Sequence, residues 1–175
     1  DYPTSEPQLQ LRLPTERYYE EEGRAELTPR DFGILMHRVF ENAATTDEIY
    51  MAIEAMTQDG VLDEKEAPRL RELVEKALAD PVTAEWFGGR WQVVRNENEI
   101  ILPGSGTTRR PDRVMTDGER AVVVDYKFGD RETARHRKQI REYLRLLRQM
   151  GYTRTEGYLW YVRLGRTERV EEKED

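Results

Sequence analysis

One stretch near the middle of the sequence decides the fold, because it joins a tight turn to two β-prone runs. It has three parts: Arg110-Pro111-Asp112-Arg113-Val114, Thr116-Asp117-Gly118-Glu119 and Val122-Val123-Val124-Asp125-Tyr126-Lys127. An Asp-Gly pair between two such runs is a strong signal for a β-hairpin with a two-residue loop. The stretch therefore predicts two antiparallel strands with Asp117 and Gly118 as their loop.

The predicted register of this hairpin places three charged residues on one face. With that loop, Asp112 lies opposite Val123. Asp125 and Lys127 follow Val123 at intervals of two residues, so their side chains share its face. Diagonal neighbours across a hairpin lie about 7–8 Å apart. The register alone predicts that Asp112, Asp125 and Lys127 lie together.

Two carboxylates beside an ammonium group suit a site for one hard cation, because such ions prefer oxygen ligands. The alternative is a surface hairpin whose charges only face water. The run Val122–Val124 is apolar on both faces, as in a buried central strand. Charges delivered by a buried strand must be satisfied by each other or by a metal, and such clusters usually mark function. The pattern favours a metal site.

Composition limits the class of protein. The chain has 175 residues, of which 37% are hydrophobic and 36% charged, and this indicates one soluble domain. No apolar run is long enough to span a membrane, and no signal peptide is recognisable. The absence of cysteine excludes disulfides, thiolate zinc sites and iron–sulfur clusters, and fits a cytoplasmic location. The formal net charge of −7 argues against generic nucleic-acid binding.

The sequence divides into three parts. Residues 1–27 contain three prolines and an acidic run and predict an extended arm or linker. Residues 28–170 predict the folded domain, and residues 171–175 a charged tail. Because the chain starts with Asp1 instead of Met, we expect it to be a piece of a longer protein.

A first helix is predicted after Thr28, which suits an N-cap, with Pro29 in the first turn. Beside its apolar stripe, Gly33, His37 and Glu41 form a second line at intervals of four residues. A lone histidine in such a place is more often structural or exposed than a ligand. Periodicity alone leaves the role of His37 open.

Further elements are predicted on both sides of the hairpin. The helices cover residues 47–58, 64–79, 80–87 and 132–150, and the strands cover residues 91–95, 99–102, 156–163 and 167–170. The helices at 47–58, 64–79 and 80–87 carry no recognisable chemistry, and we expect them to form a helical layer over the sheet.

The helix predicted at 132–150 is strongly basic. Its basic residues are Arg135, Arg137, Lys138, Arg141, Arg145 and Arg148, and Arg131 lies directly before it. Arg131, Arg135 and Lys138 form a stripe near the hairpin that suits a phosphate backbone. A solvated face or a dock for an acidic partner are the alternatives. Gln139 and Tyr143 lie one turn apart on this helix, and a core role is the default for Tyr143.

Together these motifs resemble the PD-(D/E)xK nucleases, and most of all the RecB and AddA type of exonuclease domain in UvrD/Rep-like helicases. The matching segments are Gly33-x-x-x-His37-x-x-x-Glu41, Arg-Pro-Asp112-Arg-Val, Val-Val-Asp125-Tyr126-Lys127 and Gln139-x-x-x-Tyr143. Their order along the chain is that of the family. The resemblance spans about residues 31–162.

The resemblance implies the fold and the site. The fold would be α/β, a restriction-endonuclease-like core with a mixed central sheet flanked by helices and an N-terminal helical region. Asp112, Asp125, His37 and the main-chain carbonyl of Tyr126 would bind Mg²⁺ or Mn²⁺. Three further roles are implied: catalysis by Lys127, orientation of DNA or of active-site groups by Gln139 and Tyr143, and support of His37 by Glu41.

The implied function is metal-dependent DNA cleavage by the exonuclease domain of a helicase–nuclease in DNA repair or recombination. Its partners would be DNA, as single strands or unwound ends, and a helicase motor outside this sequence. Without cysteines, it is not the iron–sulfur variety of the family. Two alternatives stay open: a catalytically silent DNA-binding or scaffolding module of a helicase, and a stand-alone restriction-type endonuclease.

Overall fold

A mixed five-stranded sheet forms the centre of the protein. The computed structural model describes residues 29–96, 100–101, 108–128 and 134–173. The helices in these ranges are α1 (Pro29–Phe40), α2 (Thr46–Gln58), α3 (Glu66–Ala77), α4 (Pro81–Trp86) and α5 (Ala134–Gln149). The strands are β1 (Val93–Asn96), β2 (Ile100–Ile101), β3 (Thr108–Arg109), β4 (Arg113–Asp117), β5 (Arg120–Lys127), β6 (Arg154–Tyr161) and β7 (Arg166–Val170).

The strand order of the sheet is β1-β4-β5-β6-β7, so β5 lies at its centre. β5 runs antiparallel to β4 and parallel to β6, and α5 forms the crossover that a parallel pair requires. Residues 121–126 of β5 are all buried, as expected for a strand covered on both faces. The predictions of a buried central strand and of a mixed sheet flanked by helices are confirmed.

The hairpin β4–β5 is present, but its predicted loop is wrong. Asp117 pairs with Arg120, so the loop consists of Gly118 and Glu119. Gly118 has φ +58°, the positive value that primed hairpin turns require at this position. The last observed pair is Arg113 with Val124, so the next position of this register places Asp112 directly opposite Asp125. The predicted register placed Asp112 opposite Val123. Because the partner shifts by two residues, every side chain keeps its predicted face.

Two hydrophobic cores lie on opposite faces of the sheet. On one face, helices α1–α4 cover Val122, Val124 and Tyr126 of β5. On the other face, α5 covers Val123 and the neighbouring residues of β6. A β-carbon at Gly157 of β6 would lie 2.4 Å from Ile140 of α5, so glycine permits this close packing. By alternation, Asp125 and Lys127 belong to the α5 face.

Local signals explain the starts of two scaffold helices, α2 and α4. Thr45 and Glu48 form a capping box at the start of α2, and Asp80 caps α4 with Pro81 at its first position. β2 pairs with β3 in a separate two-stranded sheet, and β7 is the predicted edge strand. The arm at 1–27, Thr28 and the loop at 103–106 lie outside the described residues. Within the described ranges, no helix has the length and apolar character needed to cross a membrane.

Candidate active site

At the open end of the β4–β5 hairpin, two carboxylates are held by backbone amides of the opposite strand. The amide of Asp112 donates to Oδ1 of Asp125 at 3.1 Å. The amide of Tyr126, which follows Asp125, donates to Oδ2 of Asp112 at 2.7 Å. A backbone amide of the hairpin therefore holds one oxygen of each carboxylate.

Lys127 completes this cluster on the same face. Its Nζ lies 3.9 Å from Oδ2 of Asp125. The side chain of Asp125 is only 5% exposed, whereas that of Lys127 is 20% exposed. Burial raises the pKa of the Asp125 carboxyl, while Lys127, the Asp112 amide and His37 act in the opposite direction. The site thus holds a carboxylate whose negative charge is costly unless a cation is near.

His37 reaches the hairpin from α1. Its Nδ1 lies 3.7 Å from Oδ1 of Asp112. Its ring packs edge-on against Phe128, with 4.9 Å between the ring centroids. One turn earlier, a β-carbon at Gly33 would lie 3.4 Å from the β-carbon of Phe128, which is an ordinary van der Waals contact. Gly33 and His37 thus both lie beside Phe128, the residue that follows β5.

Glu41 lies one turn after His37, beyond the end of α1. Its backbone amide donates to the carbonyl of His37 at 2.8 Å. Its side chain is exposed, and Nδ2 of Asn42 lies 3.4 Å from its carboxylate. Support of His37 by the Glu41 carboxylate stays a prediction.

Gln139 and Tyr143 are joined on α5. Nε2 of Gln139 donates to the hydroxyl oxygen of Tyr143 at 2.9 Å. Tyr143 is completely buried in the core between α5 and the sheet, whereas Gln139 is half-buried. The structure thus agrees with the core position that is the default for this tyrosine. In this arrangement Tyr143 holds Gln139, and Gln139 is the member nearer to the surface.

The basic residues of α5 fall into two groups. Arg137 forms an ion pair with Glu168, Arg141 donates to the carbonyl of Glu171 at 3.3 Å, and Arg148 lies 2.6 Å from Glu172. These contacts tie one stripe of α5 to β7 and to the first residues of the predicted tail. Arg135 and Lys138 are exposed and form no ion pair within the described residues. Arg131 lies outside these residues, so its predicted DNA contact stays a prediction.

Two residues near the site had no role in the sequence argument. Arg113, directly after Asp112, is completely buried although strands usually bury apolar side chains. His136 lies on α5, and burial lowers its pKa together with the positive charges of Lys127, Arg135 and Arg137. The sequence does not indicate that either side chain is withdrawn from solvent, because an arginine in a strand and a histidine in a basic helix both suggest exposure.

The donor chemistry of this site fits a divalent cation. Asp112 and Asp125 offer carboxylate oxygens, His37 offers an imidazole nitrogen, and a cation would offset the buried charge of Asp125. In the described parts of the chain, no three His, Cys, Asp or Glu side chains form a group that could hold a metal ion by themselves. The carbonyl of Tyr126, the other predicted ligand, is a backbone group and not a side chain, and its role stays a prediction.

The family model described as the PD-(D/E)XK nuclease superfamily matches residues 8–175 of the chain. The match therefore includes every helix and strand described above, from α1 to β7. A comparison with curated proteins finds no significant match.

Proposed function

Because the chain belongs to the PD-(D/E)XK nuclease superfamily, we propose that it is a Mg²⁺- or Mn²⁺-dependent deoxyribonuclease that hydrolyses phosphodiester bonds. The observation that supports this proposal most is the reciprocal anchoring of Asp112 and Asp125, with Lys127 beside them. The domain would act as the exonuclease of a helicase–nuclease in DNA repair or recombination. That finer assignment is based on the resemblance of its motifs to RecB and AddA.

Asp112, Asp125 and His37 would hold the cation, with the carbonyl of Tyr126 as a further ligand. When bound, the cation would polarise a phosphoryl oxygen and lower the pKa of the attacking water. The backbone amides that hold Asp112 and Asp125 keep the ligands in place before the cation arrives. This preorganisation reduces the rearrangement that binding requires.

Lys127 would act on the reacting phosphate and not on the cation. Its side chain is one-fifth exposed, and its ammonium group lies beside the carboxylate of Asp125. From there it can position the attacking water and stabilise the negative charge that develops on the phosphoryl oxygens. Gln139, held by the buried Tyr143, would orient the DNA or the active-site groups.

DNA would approach over the N-terminal part of α5. The formal net charge of −7 makes long-range attraction of DNA unfavourable, so a local positive surface must supply the contacts. Arg135 and Lys138 are exposed there, and we expect Arg131 to extend this surface. Binding by this domain alone would be weak and salt-sensitive, and an attached helicase motor would deliver the strand.

A silent module that only binds DNA or braces a helicase is the main alternative. Such a module has no use for a buried carboxylate, whose ionisation opposes folding. The presence of Asp112, Asp125 and Lys127 together at one site therefore favours catalysis. The choice between an exonuclease and a stand-alone restriction-type endonuclease depends on the requirement for DNA ends.

The test uses end-labelled linear DNA and circular DNA, each single- and double-stranded, with Mg²⁺, Mn²⁺ or EDTA. We expect the linear forms to be degraded with either metal, the circular forms to survive, and EDTA to stop the reaction. Cleavage of circular DNA would favour the endonuclease. DNA binding without cleavage under any condition would favour the silent module.

The control for contaminating nucleases is a pair of variants within one hairpin. Asp125→Asn removes the negative charge of a proposed ligand, whereas Asp117→Asn changes an exposed carboxylate at the closed end of the hairpin. We expect Asp125→Asn to lose cleavage and Asp117→Asn to keep it. Equal activity of both variants would mean that the hairpin is not the active site.

A further inference from the structure

The side chain of Arg113 is completely buried and fully engaged at both terminal nitrogens. Nη1 donates to the carbonyl of Ala43 at 2.6 Å and to Oδ1 of Asn96 at 3.1 Å. Nη2 donates to the carbonyls of Ala44 at 2.9 Å and Trp86 at 2.7 Å. The guanidinium carbon lies 4.0 Å from the centroid of the Phe87 ring. These contacts fix the position of the guanidinium group on several sides.

The three carbonyl acceptors of Arg113 belong to the helical layer, whereas Asn96 is the last residue of β1. Ala43 and Ala44 lie in the connection that follows α1, and Trp86 is the last residue of α4. Asn96 also contacts this connection, because its Nδ2 donates to the carbonyl of Ala43 at 3.3 Å. Arg113 thus fastens the first residue of β4 to the segment directly after the helix that carries His37.

The two sides joined by Arg113 are the two sides of the candidate metal site. Asp112 precedes Arg113 in the chain and is tied to β5 by its backbone and its carboxylate. His37 comes from α1, and its Nδ1 lies 3.7 Å from Oδ1 of Asp112. A small shift of α1 along the sheet would separate these groups without disturbing the carboxylates.

We propose that Arg113 is a positioning residue that holds His37 against the carboxylates of Asp112 and Asp125, so that the imidazole can join them in binding a cation. This inference rests on the proposed function, because it assumes that the site binds a metal. Arg113 acts through its bonds to Ala43, Ala44 and Trp86 and does not touch the cation or the DNA.

A purely structural role for Arg113 can be distinguished by comparison with Arg120. This second arginine lies at the closed end of the same hairpin, where it contacts Glu85 and Glu156, each at 2.6 Å. Its guanidinium carbon lies 4.8 Å from the centroid of the Trp91 ring. Arg120 also connects the hairpin to the helical layer, but far from His37 along the strands. It is the matched control.

The experiment measures Mn²⁺ affinity by calorimetry and thermal unfolding in EDTA. The variants are Arg113→Lys, Arg120→Lys, His37→Ala, Asp125→Asn and the double variant Arg113→Lys/His37→Ala. Substitution of a residue that supports a metal ligand typically weakens metal binding by about 10–100-fold. We expect Arg113→Lys to weaken Mn²⁺ binding by about tenfold and Arg120→Lys to leave it unchanged, although both lower the unfolding temperature.

The double variant tests whether Arg113 acts through His37. If it does, Arg113→Lys/His37→Ala binds Mn²⁺ no more weakly than His37→Ala alone, because the effects are not additive for coupled residues. Additive losses would overturn the inference, and so would equal Mn²⁺ affinities of Arg113→Lys and Arg120→Lys. If Arg113→Lys does not fold, Asn96→Ala takes its place in the same comparison, and unchanged Mn²⁺ affinity in that variant overturns the inference.

The Mn²⁺ affinity of Asp125→Asn distinguishes a failure of the proposed function from a failure of the inference about Arg113. If Asp125→Asn binds Mn²⁺ as tightly as the parent, the metal site itself is wrong, and the inference about Arg113 fails with it. If Asp125→Asn loses Mn²⁺ while Arg113→Lys resembles Arg120→Lys, the metal site stands and only the positioning role of Arg113 is wrong.

Discussion

The backbone amide of Asp112 donates a 3.1 Å hydrogen bond to Oδ1 of Asp125 across the open end of the hairpin. The amide after Asp125 returns a 2.7 Å bond to Oδ2 of Asp112. Each carboxylate is therefore anchored by the main chain of the other strand. An asparagine can accept the same bond through its side-chain oxygen, so substitutions of aspartate by asparagine test the charge while they preserve the anchoring.

Asp125→Asn should abolish stabilisation by metal. A ligand at 100 times its Kd stabilises the folded state by about 2.7 kcal/mol, and we expect a gain of this order for the parent with saturating Mn²⁺. The variant should gain little, because one ligand is neutral. Thermal unfolding with Mn²⁺ and with EDTA measures the difference. Asp117→Asn, the exposed control, should respond like the parent, and a full response of Asp125→Asn would refute the ligand role.

The same substitution should change how stability depends on pH in the absence of metal. Burial raises the pKa of Asp125 in the folded state, so the folded protein binds more protons than the unfolded chain between the ordinary and the raised pKa. The contribution of this group to stability is complete below the ordinary pKa of aspartate and is lost as pH rises to the raised pKa. The free energy of unfolding of the parent should fall across this interval relative to Asp125→Asn. Parallel pH profiles in EDTA would contradict the burial effect.

Lys127→Ala should separate catalysis from metal binding. An ammonium group is not a metal ligand, so Mn²⁺ affinity in calorimetry should be retained. The rate of cleavage at saturating metal should fall by at least about 10²-fold, as when one electrostatic donor to a transition state is removed. Lys76→Ala, an exposed lysine on α3, is the control and should keep full activity. Cleavage at the parental rate would exclude Lys127 from the chemistry.

His37→Ala should weaken Mn²⁺ binding without unfolding the domain. Only the neutral imidazole binds a metal, so the Mn²⁺ affinity of the parent should decrease on acidification as the ring becomes protonated. The variant should lose the part of this dependence that comes from the imidazole. Glu41→Gln should give a smaller loss if the carboxylate supports His37. An Mn²⁺ affinity of His37→Ala equal to that of the parent would return His37 to a structural role.

Charge reversal on α5 should distinguish its two groups of basic residues. Arg135→Glu/Lys138→Glu should slow cleavage and flatten the salt dependence of DNA binding, because fewer phosphates are neutralised. Arg141→Glu/Arg145→Glu should have less effect on both, since Arg141 already contacts the carbonyl of Glu171. Binding titrations at several salt concentrations measure the slopes. An unchanged rate and slope for Arg135→Glu/Lys138→Glu would show that this surface faces solvent or a partner.

The sequence by itself determined the strand on which the site is built and the faces of its residues. Side chains alternate along a strand with a period of two, so Asp125 and Lys127 had to share a face wherever the turn lay. The loop was misplaced by one residue, yet this moved the pairing by two positions and left all faces unchanged. The alternation of side chains and the position of the turn therefore sufficed to predict that Asp112, Asp125 and Lys127 lie together.

Tertiary structure decided what joins this cluster from other elements. The spacing of His37 on α1 does not reveal that its ring reaches Asp112, because this depends on how α1 packs against Phe128. Likewise, nothing local in the sequence marks Arg113 as buried, since its acceptors come from residues far away along the chain. Local periodicity specifies which face a side chain takes, whereas contacts between distant segments arise only when the two cores close on the sheet.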